Sequence, residues 1–174
     1  IEPGDEIICS PWTMSASAIS ILHWNAIPVL VDINYKTFQL DLNQLKKNIS
    51  NKTKAIIAVD IFGRSENIFE LKKIAKKYNL KIISDSAQSP YTFYKNRLAG
   101  TQTDIGGFSL NCHKHINTGE GGVLVTNSRK FAERMRLIRN HAENSLDDLR
   151  SKKKLSNMIG YNFRLGEIES AIGI

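Results

Sequence analysis

The feature of this sequence that most constrains its fold is a regular alternation of short apolar runs with amphipathic stretches of helical period. Short apolar runs rich in β-branched residues are typical of strands buried on both faces. Strands that alternate with helices in this way predict an α/β fold, with a predominantly parallel, mixed sheet and helices on both faces. The predicted strands are residues 6–9, 28–32, 54–62, 80–84, 105–110 and 122–126.

Apolar side chains recur at helical spacing between these runs. Asp41 precedes Leu42, Leu45 and Ile49, which is the pattern of a capped helix start. The predicted helices are residues 15–24, one opened by Asp41, 66–78, 128–140 and one that starts near Leu165. The polar, lysine-rich stretch 142–157 predicts a loop.

Two of these helices have a clear inward face. In the 66–78 helix the side chains expected to face the core are Ile68, Leu71, Ala75 and Tyr78, with lysines outward. In the 128–140 helix the expected face is Phe131, Met135 and Ile138.

The length of 174 residues leaves room for one domain with a hydrophobic core. The chain starts without Met and almost directly on a predicted strand, which favours a piece of a longer protein. No apolar run reaches the roughly 18 residues needed to span a bilayer, and the first five residues lack a signal-peptide profile. Cys9 and Cys112 are far apart in sequence, which favours a reducing cytoplasm over a disulfide framework.

The formal net charge of +7 does not by itself indicate nucleic-acid binding. The lysines are spread over predicted helix faces and the 152–154 run, without interleaved aromatic residues. They are interpreted as solvated helix surface, with attraction of an anionic substrate as the alternative. His113 and His115 are expected on opposite sides of an extended segment without a carboxylate or Cys beside them, so no metal site is predicted.

Ligands of parallel α/β sheets bind beyond the carboxyl ends of the strands. That rule directs attention to Asp85 and Lys114, which each follow a predicted strand. Taken alone, Asp85 is either a helix N-cap or a ligand-binding carboxylate. Lys114 lies in a loop that ends in Gly-Glu-Gly-Gly, and taken alone it is either a surface lysine before a tight turn or a functional amine.

Six sequence blocks occur together and in a characteristic order. They are GDEII at 4–8, PVLVD at 28–32, TKAIIAVDIFG at 53–63, SDSAQS at 84–89, the FSLNCHK…GEGG loop at 108–122 and GYNFR at 160–164. In this order and spacing the chain resembles the DegT-type (DnrJ/StrS) sugar aminotransferases, which are fold-type-I enzymes that use pyridoxal 5'-phosphate (PLP). The resemblance covers essentially the whole chain.

The resemblance implies a role for each residue of the two central blocks. Lys114 would hold PLP covalently as the internal aldimine and would act as the proton shuttle once substrate displaces it. Asp85 would pair with the pyridine nitrogen and keep it protonated, so that the ring accepts electrons. Gln88 would hydrogen-bond the phenolic oxygen of the ring, and Ser109 would bind the phosphate.

The resemblance also implies contributions from elsewhere. Asn162 would reach a phosphate in the partner subunit, because this family builds its site at a homodimer interface. The family places an aromatic side chain over the PLP ring, in a Thr-aromatic pair after the first strand; here that pair is Thr13-Met14, and Met14 would cover the ring as a polarizable substitute. Trp12 is expected to turn elsewhere. Residues 1–174 would be the PLP-binding large domain, without the family's N-terminal segment and C-terminal small domain.

The implied activity is the transfer of an amino group, usually from glutamate, to a keto group of a nucleotide-linked sugar for surface polysaccharide or secondary metabolites. An inositol-derived ketone is an alternative substrate. A sugar dehydratase of the same family would have His in place of Lys114, and His113 and His115 flank that position. A catalytically inert or regulatory homologue is a further alternative. A dinucleotide-binding domain is disfavoured, since no Gly-x-Gly-x-x-Gly follows the first strand.

Overall fold

The computed structural model describes residues 1–143 and 158–174. The strands are β1 (Glu6–Cys9), β2 (Ile27–Leu30), β3 (Thr53–Val59), β4 (Lys81–Asp85), β5 (Phe93–Tyr94), β6 (Arg97–Leu98), β7 (Ile105–Ser109) and β8 (Gly122–Val125). Six of them form one sheet in the order β2-β1-β3-β4-β7-β8, in which only the β7–β8 pair is antiparallel. The predicted α/β fold with a predominantly parallel sheet is confirmed.

Helices connect these strands. They are α1 (Ala16–Leu22), α2 (Leu42–Lys47), α3 (Ile68–Tyr78), α4 (Arg129–Arg139) and α5 (Glu167–Ile172), with short 3-10 turns at Ile61–Gly63 and Ala99–Thr101. Side chains cap several of them as the sequence predicts: Asp41 accepts from the N–H groups of Asn43 and Gln44 at the start of α2. Ser128 caps α4 in the same way by accepting from the N–H of Phe131.

The sheet carries a hydrophobic core on each face, because side chains of successive strand residues point to opposite sides. On one face, Ile8 and Ile56 pack with Leu45 of α2 and Leu71 of α3. On the other face, strand residues of the alternate register pack with Ile21 of α1. Burying each of these aliphatic side chains contributes on the order of 1.5–3 kcal/mol. Helices therefore cover both faces, as predicted.

Two predictions about β3 and α3 are wrong in detail. β3 ends at Val59 rather than at residue 62, because a 3-10 turn starts at Ile61, and within it Phe62 has φ of 54°, a left-handed conformation outside the β region. Tyr78 does not face the core: its relative exposure is 39%. The chain leaves α3 through Asn79 in the left-handed conformation, and Leu80 enters the core at this end instead.

A small hairpin formed by β5 and β6 was not predicted. Its turn residues, Lys95 and Asn96, both have positive φ (48° and 63°), as a two-residue hairpin turn requires. The strands are only two residues long, so the alternation of apolar and polar residues is too short to be recognised.

None of the helices among the described residues is long and apolar enough to cross a membrane. The loop predicted at 142–157 falls almost entirely on residues 144–157, which lie outside the described part of the chain.

Candidate functional site

The site is built at the edge of the sheet where the parallel strands end. Asp85 is the last residue of β4, and Ser109 is the last residue of the neighbouring strand β7. Asp85 lies opposite Gly107 in the register of this pair, so Ser109 projects two residues further in the same direction. The two predicted cofactor-binding residues are therefore brought to one edge.

The carboxylate of Asp85 is held on both oxygens. Its Oδ2 accepts a hydrogen bond of 2.7 Å from the hydroxyl of Ser17 in α1, and its Oδ1 accepts one of 3.2 Å from the N–H of Ala87. Ser17 is itself buried, and its Oγ lies 3.0 Å from Oγ1 of Thr13. The side chain of Asp85 is half-buried and is thus fixed in one orientation while it remains reachable.

The alternative that Asp85 caps a helix is wrong. Residues 87–91 form turns, and the next helical segment is the 3-10 turn at Ala99–Thr101. The bond from Ala87 to Oδ1 closes a local turn of the kind that Asp forms outside helices. An oriented carboxylate at a strand end is consistent with ligand binding.

Gln88 lies three residues further along the same turn. Its Oε1 accepts a hydrogen bond of 3.3 Å from the N–H of Phe62, which belongs to the 3-10 turn after β3. An amide side chain also has two N–H donors, so Gln88 can still offer a donor to an oxygen of a ligand.

The loop that carries Lys114 starts directly after β7 and is closed at its base. The N–H of Thr118 donates to the carbonyl of Leu110 at 3.0 Å, and the N–H of Leu110 donates to the carbonyl of Gly121 at 2.8 Å. Inside the loop, the N–H of Lys114 donates to the carbonyl of Asn111 at 2.9 Å. Lys114 is half-buried, whereas the residues on either side of it are exposed. Lys114 is therefore partly enclosed by its own loop, and its role as a functional amine stays a prediction.

The segment around Lys114 consists of turns and bends, so the expectation that His113 and His115 lie along an extended segment is wrong. The tight turns between Asn111 and Thr118 prevent a strand-like alternation. Within residues 1–143 and 158–174, no group of three or more His, Cys, Asp or Glu side chains could hold a metal ion.

Gly121 lets the C-terminal segment pack against the base of this loop. A Cβ at this position would lie 2.7 Å from Cδ1 of Leu165 and 3.2 Å from Oγ1 of Thr118. Leu165 leads into α5, whose end at Gly173 approaches the side chain of Thr118. The Gly-Glu-Gly-Gly sequence therefore permits a close contact as well as a turn.

The segment that contains Asn162 lies along the end of α4. The N–H of Tyr161 donates to the carbonyl of Ile138 at 2.7 Å, and the guanidinium of Arg164 donates to Oδ1 of Asn140 at 2.8 Å. Asn162 pairs with Asn140 in an isolated antiparallel bridge, and its side chain is exposed. An exposed Asn162 is compatible with the predicted contact to a second subunit, which stays a prediction.

Most side chains between β1 and α1 are exposed, although Ser10 is buried and Thr13 is half-buried. Met14 has a relative exposure of 67%. The ring of Trp12 stacks on Phe38, with ring centroids 6.2 Å apart. The expectation that Trp12 turns away from the cofactor ring stays a prediction. The role of Met14 over a cofactor ring stays a prediction.

Three buried residues that support the site were missed: Ser17, Asp60 and Glu66. Asp60 accepts from Ser86 (2.6 Å) and from the N–H of Glu66 (2.9 Å). The available signal was an acidic residue inside the apolar run 54–62, because a buried carboxyl needs hydrogen-bond partners. Ser17 carried no such signal, since it lies in an ordinary helical stretch.

The structure thus brings Asp85, Gln88 and Ser109 to one edge and places the loop of Lys114 directly after Ser109. Among the described residues, no hydrogen bond joins the side chains of Lys114, Met14 or Asn162 to that of Asp85. The arrangement offers an oriented carboxylate, a hydroxyl and a loop-borne amine. Together these could hold a ligand that has a cationic ring nitrogen, an anionic group and a carbonyl carbon.

Comparison with known proteins gives a consistent result. A model of the DegT/DnrJ/EryC1/StrS aminotransferase family matches residues 1–174. GDP-perosamine synthase of Caulobacter vibrioides is 35% identical over 174 residues, which are 100% of this chain and 46% of that relative. The chain therefore spans about half the length of the curated relatives it matches.

Solved structures with the same fold include an aminotransferase and a sugar dehydratase. Helicobacter pylori PseC, an aminotransferase involved in the biosynthesis of pseudoaminic acid, superimposes with a TM-score of 0.87 at 34% identity, over 98% of this chain and 45% of PseC. The E. coli GDP-4-keto-6-deoxy-D-mannose-3-dehydratase with bound hydrated PLP superimposes with a TM-score of 0.85 at 29% identity, over 99% of this chain and 48% of the dehydratase.

Proposed function

This chain belongs to the DegT/DnrJ/EryC1/StrS aminotransferase family, and on that premise we propose that its protein is a PLP-dependent transaminase. It would transfer an amino group, from glutamate, to a keto group of a nucleotide-linked sugar. The observation that carries the proposal is the carboxylate of Asp85, oriented on both oxygens at the sheet edge beside Ser109 and the Lys114 loop.

The residues present fit PLP. A protonated pyridine nitrogen needs a carboxylate in a fixed orientation, and Ser17 and Ala87 fix that of Asp85. A phosphate needs donors, and Ser109 supplies a hydroxyl at the end of the neighbouring strand. An aldehyde needs an amine, and Lys114 is half-buried in a loop closed at its base.

Each side chain then has a defined task. PLP, when bound, supplies a ring that takes up the electron pair left on the substrate carbon. Asp85 would keep the proton on the ring nitrogen, and Gln88 would donate to the phenolic oxygen. The amine of Lys114 would hold the cofactor covalently and, once the amino substrate displaces it, would take a proton from one carbon and return it to another.

The names of the relatives support the substrate class that we propose. Those named for a reaction include GDP-perosamine synthases and a transaminase of dTDP-3-amino-3,6-dideoxy-α-D-galactopyranose, so a nucleotide-linked sugar is the substrate we propose here. Its product would enter surface polysaccharide or secondary-metabolite synthesis. The net charge of +7 is suited to attracting the anionic diphosphate of such a substrate.

Three further parts of the proposal concern the whole protein. Residues 1–174 would be the PLP-binding part of the large domain. The exposed Asn162 would contact a phosphate in the site of a second subunit of a homodimer. A cytoplasmic location is supported by the free thiols of Cys9 and Cys112, which suit a reducing compartment.

The test uses the full-length protein. It is expected to bind PLP with a visible absorbance band, and borohydride is expected to fix the cofactor onto a peptide that contains Lys114. The variant Lys114→Ala is expected to lose both the fixed adduct and glutamate-dependent amination of keto sugars. An adduct on another lysine, or amination that persists in Lys114→Ala, contradicts the proposal.

The dehydratase alternative is separated by the same experiment. A dehydratase would release water from a keto sugar without net transfer of nitrogen to it. The matched control Lys130→Ala, an exposed lysine in α4, is expected to behave as the wild type. Mass spectrometry of the sugar product identifies which reaction takes place.

A further inference from the structure

Two buried carboxyl groups lie behind the site and take no part in the proposed chemistry. Asp60 follows β3 and has a relative exposure of 0%, and Glu66 precedes α3 with 2%. Neither is among the residues that form a salt bridge with lysine or arginine in the described part of the chain. Buried carboxyl groups without a cationic partner are costly, so they call for an explanation.

Asp60 is bonded to the turn that carries the predicted cofactor ligands. Its N–H donates to the carbonyl of Asp85 at 2.9 Å. Its Oδ2 accepts from the hydroxyl of Ser86 at 2.6 Å, and its main-chain carbonyl accepts from the hydroxyl of Ser89 at 2.5 Å. Three separate bonds therefore tie one buried residue to three positions of a five-residue turn.

The turn has an inner and an outer set of side chains. Ser86 and Ser89 are buried (0% and 1%) and point to Asp60. Asp85 and Gln88 form the outer set: they are half-buried, and they are expected to contact the cofactor. Because all four belong to one short turn, fixing the inner pair fixes the direction of the outer pair.

Glu66 holds Asp60 in place from the opposite side. Its N–H donates to Oδ1 of Asp60 at 2.9 Å, and its own Oε1 accepts from the N–H of Leu40 at 2.9 Å. Its Oε2 is buried and has no hydrogen-bond partner among the described residues. Both carboxyl oxygens of Asp60 thus accept hydrogen bonds, whereas only one carboxyl oxygen of Glu66 does so among the described residues.

The proton of this pair is expected on Glu66. Burial raises the pKa of Glu66 to about 7, and the charge of Asp60 adds to the shift, against the bond from Leu40. Burial also raises the pKa of Asp60, but the bonds from Ser86 and from the N–H of Glu66 favour its ionised form. Asp85 is the other charged group that acts on Asp60.

We propose that Asp60 is a positioning residue, which holds Ser86 and Ser89 so that Asp85 and Gln88 face the cofactor, and that Glu66 completes the buried pair behind it. The proposal rests on the function proposed above. Asp60 acts through the turn, because its side chain is enclosed and bonded to Ser86 and Glu66.

The test compares Asp60→Ala, Asp60→Asn and the double variant Ser86→Ala/Ser89→Ala in the full-length protein. Misplacing an orienting group by about 1 Å costs on the order of 100-fold in rate, so Asp60→Ala is expected to lower kcat roughly 10- to 100-fold. It is also expected to move the pH midpoint of the cofactor's absorbance band. Asp60→Asn can still accept from the N–H of Glu66 and donate to Ser86. It is therefore expected to retain most of the wild-type kcat and a pH midpoint close to that of the wild type.

Asp104→Ala is the matched control. Asp104 is also a carboxylate that anchors β4, since its Oδ2 accepts from the N–H of Ile82 at 2.9 Å, but it does so at the opposite end of the strand. Its loss is expected to lower the free energy of unfolding and to leave kcat and the absorbance band unchanged. An equal effect of Asp104→Ala on the band would reduce Asp60 to a structural residue and overturn the proposal.

The remaining outcomes are distinct. If Asp60→Ala does not fold, the serine double variant carries the test, because it removes the contacts and leaves both carboxyl groups in place. Wild-type kcat and an unmoved band in that variant contradict the positioning role alone, provided that the wild type forms the borohydride-fixed adduct on Lys114. Absence of that adduct overturns the proposed function and this inference together.

Discussion

The hydroxyl of Ser17 donates a 2.7 Å hydrogen bond to Oδ2 of Asp85, although the two residues are 68 positions apart. The bond joins the buried face of α1 to the end of β4, two elements on different layers of the fold. It leaves Asp85 with one oxygen held by a side chain and the other by the main chain of its own turn.

Replacement of Ser17 by Ala is therefore expected to weaken cofactor binding. A hydrogen bond to a charged group contributes about 1.5–3 kcal/mol, so the Kd for PLP is expected to rise roughly 10- to 100-fold. The matched control is Ser20→Ala in the same helix, whose hydroxyl donates only to the carbonyl of Ser17. Equilibrium titration of the apo-protein with PLP measures both, and an unchanged Kd in Ser17→Ala would show that this bond is not needed.

The folding stability is expected to fall as the pH rises from about 4.5 to about 7, through the ionisation of Glu66. The folded pKa of Glu66 is raised to about 7 from an ordinary value of 4.5, mainly by burial. Between these pH values the unfolded state binds fewer protons than the folded state, so the free energy of unfolding decreases with pH, by about 3 kcal/mol at most. Below pH 4.5 both states are protonated and the effect of Glu66 is absent.

Urea unfolding between pH 4.5 and pH 8 measures this dependence. Glu66→Gln is expected to remove the decrease in the free energy of unfolding between pH 4.5 and pH 7, since the amide cannot ionise. Glu70→Gln, an α3 residue paired with Lys73 at the surface, serves as the control and is expected to leave it in place. If the free energy of unfolding changes with pH equally in the wild type and in Glu66→Gln, then Glu66 is not the group responsible.

Gly160→Ala is expected to be more destabilising than Gly119→Ala. A Cβ on Gly160 would lie 2.0 Å from the main-chain nitrogen of Ala142, so the backbone must move. Overpacking costs about 1–3 kcal/mol and occasionally more, and a clash with main-chain atoms is expected at about the upper end, 3 kcal/mol or more. Gly119 has φ of +91° but nothing within 4 Å of its Cβ position, so only the backbone strain of about 1–2 kcal/mol applies. Thermal unfolding compares the two, and equal losses would contradict the contact at Gly160.

Met14 offers a test of the residue that covers the cofactor ring. Because its side chain is 67% exposed, Met14→Ala is expected to change the free energy of unfolding by less than about 0.5 kcal/mol. The PLP Kd is nevertheless expected to rise, and Met14→Phe is expected to restore it. Trp12→Ala is the comparison: if it weakens PLP binding and Met14→Ala does not, the stacking residue is Trp12.

The order of strands and helices could be predicted from the sequence because hydrophobic period is a local property. Five of the six predicted strands match to within two residues at each end, and Asp41 caps α2 where the sequence places a capped helix start. The error at the end of β3 occurs where a residue adopts a conformation that its type does not favour, namely Phe62 at φ of 54°. Nothing in the hydrophobic pattern distinguishes such a residue from a strand member.

The sequence by itself determined the α/β fold class and directed attention to Asp85 and Lys114, since both follow apolar runs of strand length. The tertiary structure alone decided that Asp85 is oriented by Ser17, and that its turn is bonded to Asp60 from behind. The physical reason is that these contacts depend on strand order and register. Both result from packing two hydrophobic faces against helices, and a bond between residues 17 and 85 has no signature in the local pattern of either.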